Sequence, residues 1–160
     1  MPTVALAATD GSGVDLASQR GRLVVYAYPL TGKPGSPLPD GWDSIPGARG
    51  CTPESCGFRD HFTKIKDVGV AHVFGLSTQD TAYQAEVVQR LELPFQLLSD
   101  ASLELAGALR LPTMEIDGQR LLKRLTLVID SGCITKVFYP VFPPDRHARE
   151  VLAWLEANRP

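Results

Sequence analysis

Gly50-Cys51-Thr52-Pro53-Glu54-Ser55-Cys56-Gly57-Phe58-Arg59-Asp60 lies between two apolar runs, and its own signals are those of a helix start. Pro53 suits a first helical turn, where its missing N–H costs no intrahelical bond, and Glu54 sets negative charge near the positive end of the helix dipole. Cys51 therefore falls at or just before the N-terminus. Unpaired amides and the dipole favour a thiolate there, which predicts a lowered pKa and a nucleophilic sulfur at neutral pH. Continued through residue 67, the helix puts Phe58, Phe62 and Ile65 on one apolar stripe at the i, i+4, i+7 spacing of a core-facing side.

On such a helix Cys51 lies within roughly 20° of Phe58, and Cys56 about 160° away beside Asp60, Thr63 and Asp67. Their Cα atoms stand roughly 8–9 Å apart, beyond the range of about 4.4–6.8 Å that a disulfide spans. A bond between them requires the first turns to unwind. The pair suggests an inward thiol that does the chemistry and an outward thiol that reaches it only after local unfolding. It also fits two ordinary cysteines, one buried and one incidental, since free Cys is among the most buried residue types. A metal centre fits less well, because there is no second cysteine pair and His61, His72 and His147 are scattered without zinc-site spacing.

Apolar residues make up 44% of the 160 positions and charged residues 21%, which is enough for one domain over 1–160 with a sizeable core. A formal net charge of -2 without a basic cluster argues against nucleic acid or an anionic membrane as the main partner. A small molecule or another protein is expected instead. The opening Met1-Pro2-Thr3-Val4-Ala5-Leu6-Ala7-Ala8 lacks the basic region and apolar run of a secretory signal, and no stretch approaches the roughly 20 apolar residues of a membrane span. Three cysteines, an odd number, fit reduced cytoplasmic thiols better than a secreted disulfide framework.

Upstream, Leu23-Val24-Val25-Tyr26-Ala27-Tyr28 predicts a central strand covered on both faces, and residues 3–8 a short edge strand followed by another near 14–16. From Pro29 through Gly50 the chain carries five prolines and five glycines, a density through which neither helix nor strand runs, with Trp42 as the main apolar anchor. A loop of this length is either a passive insertion or a functional element. Its place directly before Cys51 favours a loop that delivers the cysteine and walls its pocket. Downstream of a helix over 53–67, Ala71–Ser77 predicts a second buried strand and a parallel βαβ unit. A helix over 80–91 capped by Ser77 or Thr78, a strand over 95–99, and a helix over 101–109 opened by Asp100 follow. Leu121–Asp130 predicts one strand turning at Ser131-Gly132 into Ile134–Tyr139, and residues 145–158 a last helix. His72 fits a structural histidine with its bonds satisfied, and Cys133 an unremarkable residue at a hairpin end.

This order predicts an α/β, thioredoxin-like fold, a mixed central β-sheet flanked by helices. Cys51 falls at the carboxyl end of the first central strand, where open α/β sheets place their sites. Thiol–disulfide oxidoreductases of that fold share the outline but carry Cys-x-x-Cys and a proline before the hairpin, where this chain has Lys123-Arg124.

Tyr28-Pro29, the block Gly50–Asp60, Leu98-Ser99-Asp100 and Arg124-Leu125-Thr126-Leu127-Val128-Ile129-Asp130 together resemble the peroxiredoxins of the bacterioferritin-comigratory-protein, or PrxQ, type. The resemblance runs through nearly the whole chain. It implies a thiol-dependent peroxidase without cofactor, in which Cys51 is the peroxidatic residue and Cys56 the resolving one. Arg124 matches the family's active-site arginine, Pro29 its shielding proline, and Glu54 the polar residue that orients the arginine. It further implies a hydroperoxide substrate, an intramolecular Cys51–Cys56 disulfide, thioredoxin or a similar dithiol as reductant, and a monomer or weak homodimer. Two features depart from the family pattern. About fifteen extra residues separate Pro29 from Cys51, making 29–50 an insertion loop, and Ala48 stands where the family has a Thr or Ser hydroxyl. Thr31, Ser44 or a backbone group is expected to bind the peroxide in its stead. Two alternatives stay open from the residues alone: an oxidoreductase acting on protein disulfides, and a non-catalytic protein whose disulfide reshapes the loop for a partner.

Overall fold

The computed structural model describes residues 1–159. Strands β1 (Ala5–Ala8), β2 (Gly13–Asp15) and β3 (Arg22–Ala27) come first. A loop with one 3-10 turn at Trp42–Ser44 then leads to helices α1 (Cys51–Asp60) and α2 (Phe62–Asp67). β4 (Val70–Ser77), α3 (Thr81–Arg90), β5 (Gln96–Ser99) and α4 (Glu104–Leu109) follow, then β6 (Thr113–Ile116), β7 (Gln119–Leu122), β8 (Leu125–Asp130), β9 (Cys133–Phe138) and α5 (Pro144–Ala157). Seven strands form one mixed sheet in the order β2-β1-β5-β4-β3-β8-β9, with β3, β4 and β5 parallel and β8 antiparallel to β3.

Every residue of β3 is buried, as its unbroken apolar run predicts. Its pleat divides the core. Val24 and Tyr26 face α1, α2, α3 and α5, whereas Leu23, Val25 and Ala27 face α4 and the N-terminal strands. Tyr26 stacks on Phe58 with ring centroids 4.4 Å apart and donates its hydroxyl to Ser55 Oγ at 3.0 Å. These two contacts fix α1, and with it the cysteines, against the central strand.

The structure departs from the sequence expectations at several points. The helix expected over 53–67 begins at Cys51 and breaks at His61, which leaves helical geometry while its ring nitrogen meets the Gly57 carbonyl oxygen at 2.9 Å. Leu121–Asp130 is two strands. Gln119–Leu122 pairs with Thr113–Ile116 through Asp117-Gly118, both at positive φ, as a two-residue hairpin turn requires, and the chain bends at Lys123-Arg124 before joining the main sheet. β1 is interior, between β2 and β5, so β2 rather than β1 forms that edge. Asp80 caps α3 by accepting the Tyr83 amide at 2.7 Å, while Ser77 Oγ turns inward to the buried Gln84. The helix expected from residue 101 begins only at Glu104, and Asp100 braces its first turn from outside, its carboxylate accepting the Leu105 and Ala106 amides. His72 stands exposed on β4, stacked on Phe74, rather than buried with satisfied bonds.

The proline- and glycine-rich loop is anchored. Trp42 is buried in a cluster with Ala48, Ile116 and Leu121, so the β6–β7 hairpin is the surface on which the loop rests.

Candidate active site

α1 starts at Cys51 because Gly50 precedes it at φ 104, a left-handed conformation that favours glycine. A Cβ at position 50 would lie 2.3 Å from Pro144 Cγ, so the missing side chain also lets the helix start close against α5. The Cys51 and Thr52 amides, at the head of the helix, have no intrahelical acceptor, and Pro53 has no amide to satisfy.

Arg124, at the bend before β8, reaches this helix start from the strand next to β3, on the face of the sheet that α1 covers. Its Nη2 lies 3.2 Å from Cys51 Sγ, and its Nη1 bonds Glu54 Oε2. Nη2 also donates to the carbonyl oxygens of Arg49 at 3.1 Å and Gly47 at 3.4 Å, so the end of the loop straps the guanidinium in place. Cys51 is 3% exposed, Arg124 4% and Glu54 0%. One buried cation therefore stands between two acids on the same face of α1. Among the described residues, Glu54 Oε1 and Arg124 Nε have no hydrogen-bond partner.

Burial decides the ionisation of both acids. It pushes the Glu54 carboxyl up to about 8, although Arg124 pulls the other way. It also pushes the Cys51 thiol up, against the Arg124 cation and a backbone hydrogen bond from Leu30, with Glu54 adding to the rise. The lowered thiol pKa expected from the helix start alone is thus overturned in this closed geometry. The thiol donates to the Ala48 carbonyl oxygen at 3.7 Å.

Of the residues singled out in the sequence, Cys51, Arg124 and Glu54 meet in one recess, and Pro29 is buried directly before Leu30, whose amide reaches the sulfur. Cys56 does not lie on a fully solvated side: it is half-buried and packs against the core cluster to which Cys51 belongs. All three cysteines are free thiols, and Cys133 is exposed at the start of β9. Neither hydroxyl proposed to replace that of a Thr or Ser at position 48 is free at the site. Thr31 Oγ1 is buried and bonded to Gln79 at 3.0 Å, and Ser44 is exposed in the 3-10 turn. Backbone carbonyls line the recess instead: that of Ala48 accepts the thiol, and those of Gly47 and Arg49 accept Arg124, and no residue-type pattern signals them. Among the described residues, no cluster of His, Cys, Asp and Glu is arranged to hold a metal ion, and no helix is long and apolar enough to cross a membrane.

Residues 1–152 match the model of the Redoxin family. The chain is 34% identical over 158 residues to the chloroplastic peroxiredoxin Q of Oryza sativa subsp. japonica, covering 98% of this chain and 64% of that protein. It is 31% identical over 158 residues to the chloroplastic peroxiredoxin Q of Sedum lineare, covering 98% of this chain and 75% of that one. The chain thus spans just under two thirds of the length of the rice protein. Among solved structures it superimposes on peroxidoxin BcpB from Mycobacterium tuberculosis with a TM-score of 0.77 and 27% identity, over 98% of this chain and 94% of the other. The fold is accordingly the thioredoxin-like fold expected from the sequence, and the chain belongs to the redoxin family as a peroxiredoxin of the Q type.

Proposed function

We propose that this protein is a thiol-dependent peroxidase that reduces hydrogen peroxide and organic hydroperoxides at Cys51. The observation that carries this function is the Arg124 guanidinium 3.2 Å from Cys51 Sγ, buried at a helix N-terminus. Once ionised, the sulfur attacks the terminal peroxide oxygen, so that an S–O bond forms and the O–O bond breaks. The leaving oxygen takes a proton and departs as water or alcohol, and Cys51 becomes a sulfenic acid. Arg124 stays charged and offers fixed donors to both the thiolate and the leaving oxygen, as a developing oxyanion needs. The free Cys51 and Thr52 amides add donors where a Thr or Ser hydroxyl is absent.

Cys56 then condenses with the sulfenic acid, forming the disulfide and releasing water. The first turns of α1 must open for this, because helical spacing keeps the two residues out of bonding range. An external dithiol such as thioredoxin returns both thiols by exchange and leaves as its own disulfide. Three free cysteines suit a reducing compartment such as the cytoplasm.

The test is turnover with thioredoxin, thioredoxin reductase and NADPH. The wild-type protein consumes hydrogen peroxide and tert-butyl hydroperoxide, and Cys51→Ser does not. Reduction of protein disulfides without consumption of peroxide moves the assignment to a thiol–disulfide oxidoreductase. Oxidation-dependent partner capture with no turnover moves it to a redox-switched binding protein.

A further inference from the structure

Two fixed residues, Tyr28 and Thr31, bracket the one whose amide reaches the Cys51 sulfur. The Tyr28 amide still donates to the Leu76 carbonyl oxygen at 3.0 Å, although β3 ends at Ala27. Pro29 has no amide to offer, and β4 itself stops at Ser77. Beyond that point a side chain takes over. Gln79 Oε1 accepts the Thr31 amide at 2.9 Å, and Gln79 Nε2 donates to the Thr31 carbonyl oxygen at 3.2 Å. One carboxamide thus pairs with both backbone groups of one residue, as an opposite residue does in an antiparallel ladder.

Gln79 is itself held. Its amide donates to Ser77 Oγ at 3.3 Å, and its carbonyl oxygen accepts Ser99 Oγ at 2.7 Å. From α3, Tyr83 donates its hydroxyl to the Thr31 carbonyl oxygen at 3.0 Å, and Arg90 donates to that of Gly32 at 3.0 Å. Gln79 and Thr31 are both buried, so each bond is costly to lose. Leu30 lies between the two fixed points. It packs against the Trp42 cluster, lines the cleft that holds Cys51, and donates its amide to the sulfur.

We infer that Gln79 is a positioning residue for the reaction at Cys51: its carboxamide fixes Thr31 and thereby presents the Leu30 amide to the ionised sulfur. The inference rests on the peroxidase function proposed above and adds to it a residue that touches neither sulfur nor peroxide. Arg124 and Glu54 face the sulfur from the bend before β8 and from α1, and Tyr26 and Tyr28 from β3 and its extension, both tyrosines held neutral by burial. Among the described residues none of these four bonds Gln79, so a substitution there acts through the Leu30 amide and not through a change of charge.

The experiment measures the pH profile of iodoacetamide modification in a Cys56→Ser, Cys133→Ser background, where Cys51 is the only thiol. Gln79→Met keeps the length of the side chain and removes both bonds to the Thr31 backbone. Its midpoint rises by about one pH unit, as loss of one hydrogen bond to a charged group predicts, while the rate on the alkaline plateau stays that of the background protein. Reaction with hydrogen peroxide at a pH below both midpoints slows about tenfold. Thr31→Val removes the 3.0 Å bond from Thr31 Oγ1 to Gln79 and keeps both backbone bonds. It lowers the urea midpoint yet moves the thiol midpoint far less than Gln79→Met does. A second measurement leaves Gln79 in place: in the background protein the Leu30 amide proton signal moves with pH at the same midpoint as alkylation. A Gln79→Met midpoint that coincides with the background value, or a Leu30 signal that does not follow Cys51, overturns the positioning role and leaves the peroxidase function standing. A displaced midpoint in a protein whose Cys51 consumes no peroxide overturns the peroxidase function and leaves Gln79 as a residue that sets the ionisation of the thiol.

Discussion

Arg124 holds Cys51 and Glu54 at once, with Nη2 3.2 Å from the sulfur and Nη1 on the Glu54 carboxylate. The cation that stabilises a Cys51 thiolate is thus already engaged by a second acid on the same helix. Ionisation of either acid raises the cost of ionising the other, because both lie in a region where charge is poorly screened.

Glu54→Gln keeps the shape of the side chain and removes the competing charge. The pH at which iodoacetamide modifies Cys51 then falls, since a neighbouring carboxylate raises the thiol pKa. Arg124→Gln moves the same midpoint upward and lowers the rate of reaction with peroxide about 100-fold to 1000-fold. Alkylation profiles that coincide in wild type and both variants contradict the shared-cation arrangement.

Stability should depend on pH through the same residue. Burial raises the Glu54 pKa from an ordinary 4.5 to about 8 in the folded protein. Between those values the native state holds a proton that the unfolded chain has released, so the stabilisation is complete below about 4.5 and is lost as pH rises through about 8. Urea midpoints of the wild type therefore fall between pH 5 and pH 8 more steeply than those of Glu54→Gln. A wild-type midpoint that rises over this interval rules out the raised carboxyl.

Gly50→Ala imposes a left-handed residue and a methyl group 2.3 Å from Pro144 Cγ. Strain and overpacking together cost about 2–4 kcal/mol, read as a lower urea midpoint. A loss under about 0.5 kcal/mol would show that α1 and α5 are not held together at this point.

Trp42→Ala removes the anchor of the 29–50 loop. The cluster it leaves, Ala48, Ile116 and Leu121, is separate from the two main cores. Hydrogen exchange should therefore speed up in the loop and in the β6–β7 hairpin while β3 and β4 keep their protection. Because Gly47 and Arg49 strap the guanidinium, reaction with peroxide slows as well. Uniform loss of protection through the sheet would instead make Trp42 part of the central core.

Much of this architecture is legible in the residues. The run from Leu23 to Tyr28 announces a doubly covered strand, and Pro53 with Glu54 marks the helix start that carries Cys51. Asp117-Gly118 is also a legible hairpin signal, but the apolar residues around Leu121 mask it by continuing into the next strand. The ionisation of Cys51 is not legible, because the helix start argues for a lower pKa and only the packed structure reveals that desolvation prevails. Nor does any residue type signal that backbone atoms of Leu30, Ala48 and Arg49 surround the sulfur and its arginine.

The most direct test of the central claim, that the sulfur held by Arg124 is the one that reduces peroxide, is intact-mass analysis with peptide mapping after one equivalent of hydrogen peroxide. The expected product is a single chain lighter by the two thiol hydrogens, with Cys51 joined to Cys56, and in Cys56→Ser a dimedone-reactive sulfenic acid on Cys51. Oxidation confined to Cys133, or equal oxidation in Cys51→Ser, would contradict it.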